Sequence, residues 1–154
     1  MRTFASIDEL TGALGDTLGP GPWFPVDQHR VDLFADATDD HQWIHLDQER
    51  AAAGPYGGTI AHGYLTLSLI PALVGQLYRV GGVRMGINYG LNRVRFPAPV
   101  RVGSAVRVVA TIDQVTPFDG GAQLVATVTV QNDGGDKPVC VAETVSRLYT
   151  DPPR

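Results

Sequence analysis

Ala37-Thr38-Asp39-Asp40-His41-Gln42-Trp43-Ile44-His45-Leu46-Asp47 gathers three carboxylates, two of the chain's four histidines and one of its two tryptophans. Within it Asp40 and His45 flank Trp43 and Ile44, in what reads as a turn or short loop between two helical segments. A carboxylate and an imidazole held close together can share one water. One takes a proton from it while the other gives a proton back, which is what adding water to a double bond requires. The competing reading is a pair of solvated loop residues. Trp43 and Ile44 argue against it, because an indole and a branched aliphatic side chain seek the interior and carry their neighbours with them. His41 and His45 are four apart and would share a helix face, as metal ligands often do. However, His41-Gln42-Trp43-Ile44-His45 lacks the glutamate of a zincin helix, so no metal is assigned.

The flanking elements must position this pair. Asp27 should cap a helix from about Gln28 to Thr38, with Val31, Phe34, Ala35 and Thr38 as its buried stripe. Asp47 should cap a second, short helix through Ala51-Ala52-Ala53. Gly54-Pro55-Tyr56-Gly57-Gly58 follows as a loop, either an ordinary turn or a lid that contacts a ligand. From Ile60 to Tyr78 apolar residues run all round, which predicts a buried helix, kinked at Pro71 and ended by Gly81-Gly82. Ahead of these, Ser6-Ile7-Asp8-Glu9 opens a helix that Gly15 would end. Gly19-Pro20-Gly21-Pro22 turns, and Trp23 to Val26 is a short edge strand. The rest reads as strand: Val83 to Phe96, Val106 to Val115, Leu124 to Gln131 and Val139 to Tyr149. Turns fall at Pro97-Ala98-Pro99 and Asp133-Gly134-Gly135-Asp136, and Asp151-Pro152-Pro153-Arg154 is a tail. Helices followed by four long strands predict one α+β domain over residues 1–154, an antiparallel sheet wrapped around an apolar helix. That arrangement is the hotdog fold.

Composition narrows the function. A chain of 154 residues with 44% hydrophobic and 18% charged residues folds as a globular domain with a substantial core. A net charge of −4 without a basic run argues against nucleic acid as a partner. Cys140, the single cysteine, lies in an apolar strand and reads as a buried, inert thiol, with no intrachain disulfide possible. Asp8, Glu9 and Asp16 break the first residues as a signal peptide, and His62, Gly63, Pro71 and Gln76 break Ile60 to Leu77 as a membrane span. The expected location is cytoplasmic, with no membrane partner.

Three blocks carry a family resemblance. The Ala37–Asp47 stretch resembles the small-x-Asp-x-Asn-Pro-apolar-His-x-Asp signature of MaoC-like (R)-specific enoyl-CoA hydratases. Ile60-Ala61-His62-Gly63-Tyr64-Leu65 is similar to that family's second block, at the start of the central helix. Gly90-Leu91-Asn92-Arg93-Val94-Arg95-Phe96-Pro97-Ala98-Pro99-Val100 resembles a third, a strand closing in Phe-x-x-Pro before Val-x-x-Gly. The blocks lie in family order, and the likeness extends over nearly the whole chain, most to short single-domain members of mycobacterial type. Gln42 stands where the family has Asn, and Trp43 where it has Pro.

The resemblance implies hydration of a trans-2-enoyl-CoA to an (R)-3-hydroxyacyl-CoA with no cofactor, on a homodimer. Asp40 and His45 would be the catalytic pair, and the backbone N–H of Gly63 the oxyanion donor. An acyl-thioester groove would run along Ile60, Ala61, His62 and Gly63, then Gly86, Ile87, Asn88 and Tyr89, and past Pro97, Ala98 and Pro99, with Leu124 nearby. Arg93, Arg95 and Arg101 are candidates for the CoA phosphates, against the reading of solvated strand-edge charges. Two rivals stand beside this: a hotdog acyl-CoA thioesterase, and a non-catalytic acyl-thioester-binding protein resembling nodulation protein N. Against the first, Ile60 to Tyr78 offers no Asp or Glu where thioesterases carry a carboxylate.

Overall fold

Asp27 and Asp47 act as the sequence predicts. The structure, a computed structural model, describes residues 1–150, so the tail at 151–154 lies outside the described residues. The Asp27 carboxylate accepts from the N–H of Arg30 and opens helix α2 (Gln28–Thr38), while the Asp47 carboxylate accepts from Arg50 and opens α4 (Gln48–Ala52). Val31 and Ala35 face the core from α2, and Phe34 is half-buried; Thr38 is exposed and returns its hydroxyl to the carbonyl of Phe34. Ser6 caps α1 (Ile7–Thr11), which stops at Gly12 rather than Gly15, and Glu9 reaches back to the N–H of Ala5.

The apolar helix differs from expectation at both ends. Helix α5 spans Gly63–Val74, with His62 as its N-cap. Residues 60–62 are extended, because Ala61 N–H donates to the carbonyl of Val100 and Ile60 bridges Arg101. The chain leaves the helix at Gly75, not Gly81, and turns into strand β4 (Tyr78–Val80). Pro71 lies inside α5. Strand β4 runs parallel to β1 (Arg2–Phe4), a pairing of two three-residue strands that no local pattern announces.

The main sheet has six strands, all antiparallel. Its order is β2 (Thr17–Leu18), β6 (Ala105–Phe118), β7 (Gly121–Asn132), β8 (Cys140–Tyr149), β5 (Met85–Arg95), with β3 (Phe24–Pro25) also beside β6. The four long strands are those the sequence predicts, with bulges in β5 where its register slips at Asn88/Gly90 and Leu91/Arg93. The concave face presents Val106, Val108, Ala110, Leu124, Val128, Val130 and Ala142 to Leu65, Leu69, Ile70 and Leu73 of α5. Each such side chain contributes roughly 1.5–3 kcal/mol by leaving water. Burial pushes the Cys140 thiol up to about 11, which fits an unreactive core cysteine. Two surfaces stay uncovered in the single chain. Tyr64 on α5 is 69% exposed, and edge strand β5 exposes Met85, Ile87, Tyr89 and Leu91.

Candidate active site

The loop between α2 and α4 is not a plain turn. Asp39 ends α2 in the left-handed region at φ 58°, Gln42 is extended, and a one-turn helix α3 (Trp43–Leu46) carries His45. Trp43 occupies the first helical position, where a proline also fits because its missing N–H would have no helical partner. The indole packs against Gly54 and under the guanidinium of Arg50, so a larger residue is accommodated there.

His45 is buried, and its Nδ1 donates to the carbonyl oxygen of Ile60 at 2.6 Å. A carbonyl can only accept, so Nδ1 carries the proton and Nε2 keeps a lone pair. Burial lowers the His45 pKa, and the bond to Ile60 only partly offsets this. The neutral ring is therefore the resting form at neutral pH. Asp40 is half-exposed at 52%, and one ligand atom each from Asp40, His45 and His62 lie within 4.8 Å of one another. One water making two hydrogen bonds of about 2.8 Å can span such a gap.

Each ring in this cluster has one nitrogen engaged in a hydrogen bond and the other left free. Nδ1 of His45 is taken by Ile60 and Nε2 of His62 by the carbonyl of Asp40 at 2.9 Å. His41 takes no part: it is exposed and bonded to Asp36, whose carboxylate raises its pKa.

Beside His45 lies a cavity of about 370 Å³, lined also by Tyr56, Ile60, Ala61, Gly63, Thr66, Val139 and Phe96 to Val100. It brings Ile60, Ala61, Gly63, Pro97, Ala98 and Pro99 together as expected. Gly63 is the first residue of α5, so its N–H has no intrahelical acceptor, and the helix dipole favours negative charge there. A Cβ at Gly63 would sit 3.2 Å from the ring of Phe96.

The other half of the expected groove is elsewhere within one chain. Asn88 and Leu124 line a second, apolar cavity of about 280 Å³ between the sheet and Leu67, Ile70, Pro71 and Val74 of α5. Gly86 and Ile87 line neither cavity, and Tyr89 stacks on Arg147, its ring 3.8 Å from the guanidinium. The physical reason is that β5 forms the sheet edge beyond β8, and side chains alternate between its faces. His62 is 2% exposed and lies behind the cavity rather than on its wall. Of the three arginines, Arg101 follows the cavity-lining Val100 and donates to the carbonyl of Gly57 in the glycine loop at 2.8 Å, whereas Arg93 and Arg95 flank Glu143.

The comparisons with known proteins bear on this geometry. The family model of the MaoC like domain matches residues 9–134. The chain belongs to the MaoC-like dehydratase family. It is 53% identical over 148 residues to 3-hydroxyacyl-thioester dehydratase Z of Mycobacterium tuberculosis, covering 96% of this chain and 98% of that protein. It is 44% identical over 151 residues to nodulation protein N of Rhizobium leguminosarum, covering 96% and 93%. Among solved structures, the (R)-hydratase of A. caviae superposes with a TM-score of 0.71 at 26% identity, covering 88% of this chain and 96% of that one. An R-hydratase of Pseudomonas aeruginosa gives 0.72 at 24% identity, covering 95% and 86%. The fold of this MaoC-like chain is therefore a hotdog.

Sequence reasoning missed one residue that shapes the site. The amide of Gln28 donates to the carbonyl of His45 at 2.7 Å and to Asp32 at 2.9 Å, and its oxygen accepts from Thr59 at 2.7 Å. It ties α2 to α3 and to the extended segment carrying Ile60, the residue that sets the His45 tautomer. A glutamine opening a helix carries no local signal of that role.

Proposed function

We propose that this MaoC-like protein is an (R)-specific enoyl-CoA hydratase, adding water to a trans-2-enoyl-CoA to give an (R)-3-hydroxyacyl-CoA. The observation that carries the reading is the approach of a carboxylate oxygen of Asp40 to within 4.8 Å of a ring nitrogen of His45, beside a cavity that reaches the free N–H end of α5. The half-exposed Asp40 carboxylate accepts one O–H of the water and orients it. As the oxygen bonds to the β-carbon, Nε2 of His45 takes the other proton and negative charge moves onto the thioester oxygen. The Gly63 N–H and the helix dipole stabilise that charge. The proton is then returned to the α-carbon, so the H and OH of one water have added and the pair is restored. Both groups stand on one side of the bound chain, so the addition is syn and gives one enantiomer. The reading needs no metal or redox cofactor, and it fits a cytoplasmic enzyme.

The name of 3-hydroxyacyl-thioester dehydratase Z supports the dehydratase direction of the same reaction, and the (R)-hydratase likeness supports the stereochemistry. A homodimer belongs to the proposal. Pairing of the open edge of β5 across a two-fold axis would cover its exposed apolar side chains and bring a partner's β5 to each site. That supplies the missing half of the groove. Likeness to nodulation protein N keeps a binding module as the second reading.

The test couples crotonyl-CoA turnover separately to dehydrogenases specific for (R)- and (S)-3-hydroxyacyl-CoA, on protein whose mass is read by light scattering. Signal only with the (R)-specific enzyme, from a dimer, is expected. Release of free CoA at a comparable rate would move the assignment to a thioesterase. Absence of turnover with short and long enoyl chains alike would favour the binding module.

A further inference from the structure

We propose that His62 is a positioning residue that holds Asp40 and His45 in register with each other; the assignment rests on the hydratase reading of that pair. His62 caps α5 through its backbone, its carbonyl accepting from the N–H of Thr66 at 3.2 Å. Its ring touches both members of the pair. Nε2 donates to the backbone carbonyl of Asp40 at 2.9 Å, and the ring stacks on that of His45, centroids 3.8 Å apart at 24°. Phe34 closes the far side at 5.0 Å.

Without His62 little would fix Asp40. Among the described residues, the bond from His62 is the one hydrogen bond made to Asp40, whose carboxylate is 52% exposed. Asp39 and Asp40 lie in the bend that ends α2, a segment with no ladder of its own. Tying its carbonyl to the N-cap of α5 therefore locks the distance from the Asp40 carboxylate to the helix whose first N–H is the oxyanion donor. The stacking does the same for the plane of His45, and the contact of Nδ1 with Ile60 sets its rotation.

The unpartnered atom of His62 fits this role. Because the Asp40 carbonyl can only accept, Nε2 holds the proton and Nδ1 is a bare lone pair, buried with no partner. The ring thus serves as a spacer and donor. A histidine present only to fill space has no need of the Nε2 bond, and phenylalanine would replace it.

Two substitutions separate these cases. His62→Phe keeps the stacked volume and removes the donor. His62→Gln places an amide N–H near the position of Nε2. The expected result is that His62→Phe lowers kcat by roughly 10²-fold, the effect of a misplacement of about 1 Å, with KM within about two-fold. His62→Gln should recover most of that loss. Equal losses in the two folded variants, or wild-type kcat in His62→Phe, would overturn the proposal. Should His62→Phe not fold, imidazole nitrogen resonances of the wild type decide: the Nε2–H tautomer is expected, and an Nδ1–H tautomer overturns it. Should the wild type hydrate no enoyl thioester, the hydratase reading alone falls. Positioning is then judged by the Asp40 amide and His45 ring resonances, expected to shift in His62→Phe and return in His62→Gln.

Discussion

Asp40→Asn and His45→Gln are each expected to lower the hydration rate by roughly 10²–10⁴-fold, the range for losing a group that carries or directs a proton. Asparagine keeps the size of Asp40 and removes the charge that orients the water. Glutamine keeps an amide for the carbonyl of Ile60 and removes the Nε2 lone pair. The Asp40 carboxylate is half-exposed and lies 4.0 Å from His62 Nε2, beyond hydrogen-bond reach, so its variant should melt near wild type. His45 is buried and stacked, so its variant should lose some stability without unfolding. The control is circular dichroism on the assayed samples, and either variant working near wild-type rate while folded would remove the pair from the mechanism. The pH profile of kcat/KM follows from the same residue. Burial holds the His45 pKa below the usual 6.5, so the acid limb should fall below that value. Stability moves the same way. Between 6.5 and the lowered pKa the unfolded chain binds a proton that folded His45 refuses, so this contribution, full above 6.5, is lost as pH falls through that window. An acid limb above 6.5 would contradict the burial argument.

What was legible in the sequence was local. Asp27 and Asp47 announce their helices because an N-cap acts over three residues, and the long strands announce themselves by alternation. The start of α5 was not legible. Residues 60–62 are as apolar as the helix they precede, and what holds them extended is a bond to Val100, about forty positions away. Distance in sequence also hid Gln28 and the grip of His62 on Asp40, both of which join elements that the chain order separates. The groove was half legible for a related reason. Ile60 to Gly63 and Pro97 to Pro99 meet through the Ala61–Val100 bond, whereas Gly86 to Tyr89 sit on the edge strand of the sheet. The pattern of the helix was also read too simply. Apolar all round predicted full burial, yet Tyr64 and Ser68 face outward.

Gly63→Pro is expected to reduce kcat by roughly 10²–10³-fold, the effect of removing one oxyanion donor. Proline is suited to this position for reasons of backbone geometry. Gly63 is the first residue of α5, where the N–H has no helical partner, so its loss leaves the helix intact. The residue before a proline must be extended, and His62 already is, at φ −59° and ψ 138°. The substitution therefore deletes one hydrogen from the site while keeping the N-cap, the helix and the bond from His62 to Asp40. It also adds carbon, and a Cβ there meets Phe96 at 3.2 Å. Gly63→Ala separates the two effects, because alanine adds the Cβ and keeps the N–H. Phe96 is exposed and free to give by a few tenths of an ångström, so the alanine variant should lose far less than the proline variant, and mainly in KM. Equal losses in the two would show that crowding against Phe96, and not the missing N–H, sets the rate. A proline variant with wild-type kcat would show that the developing charge on the thioester oxygen is stabilised elsewhere.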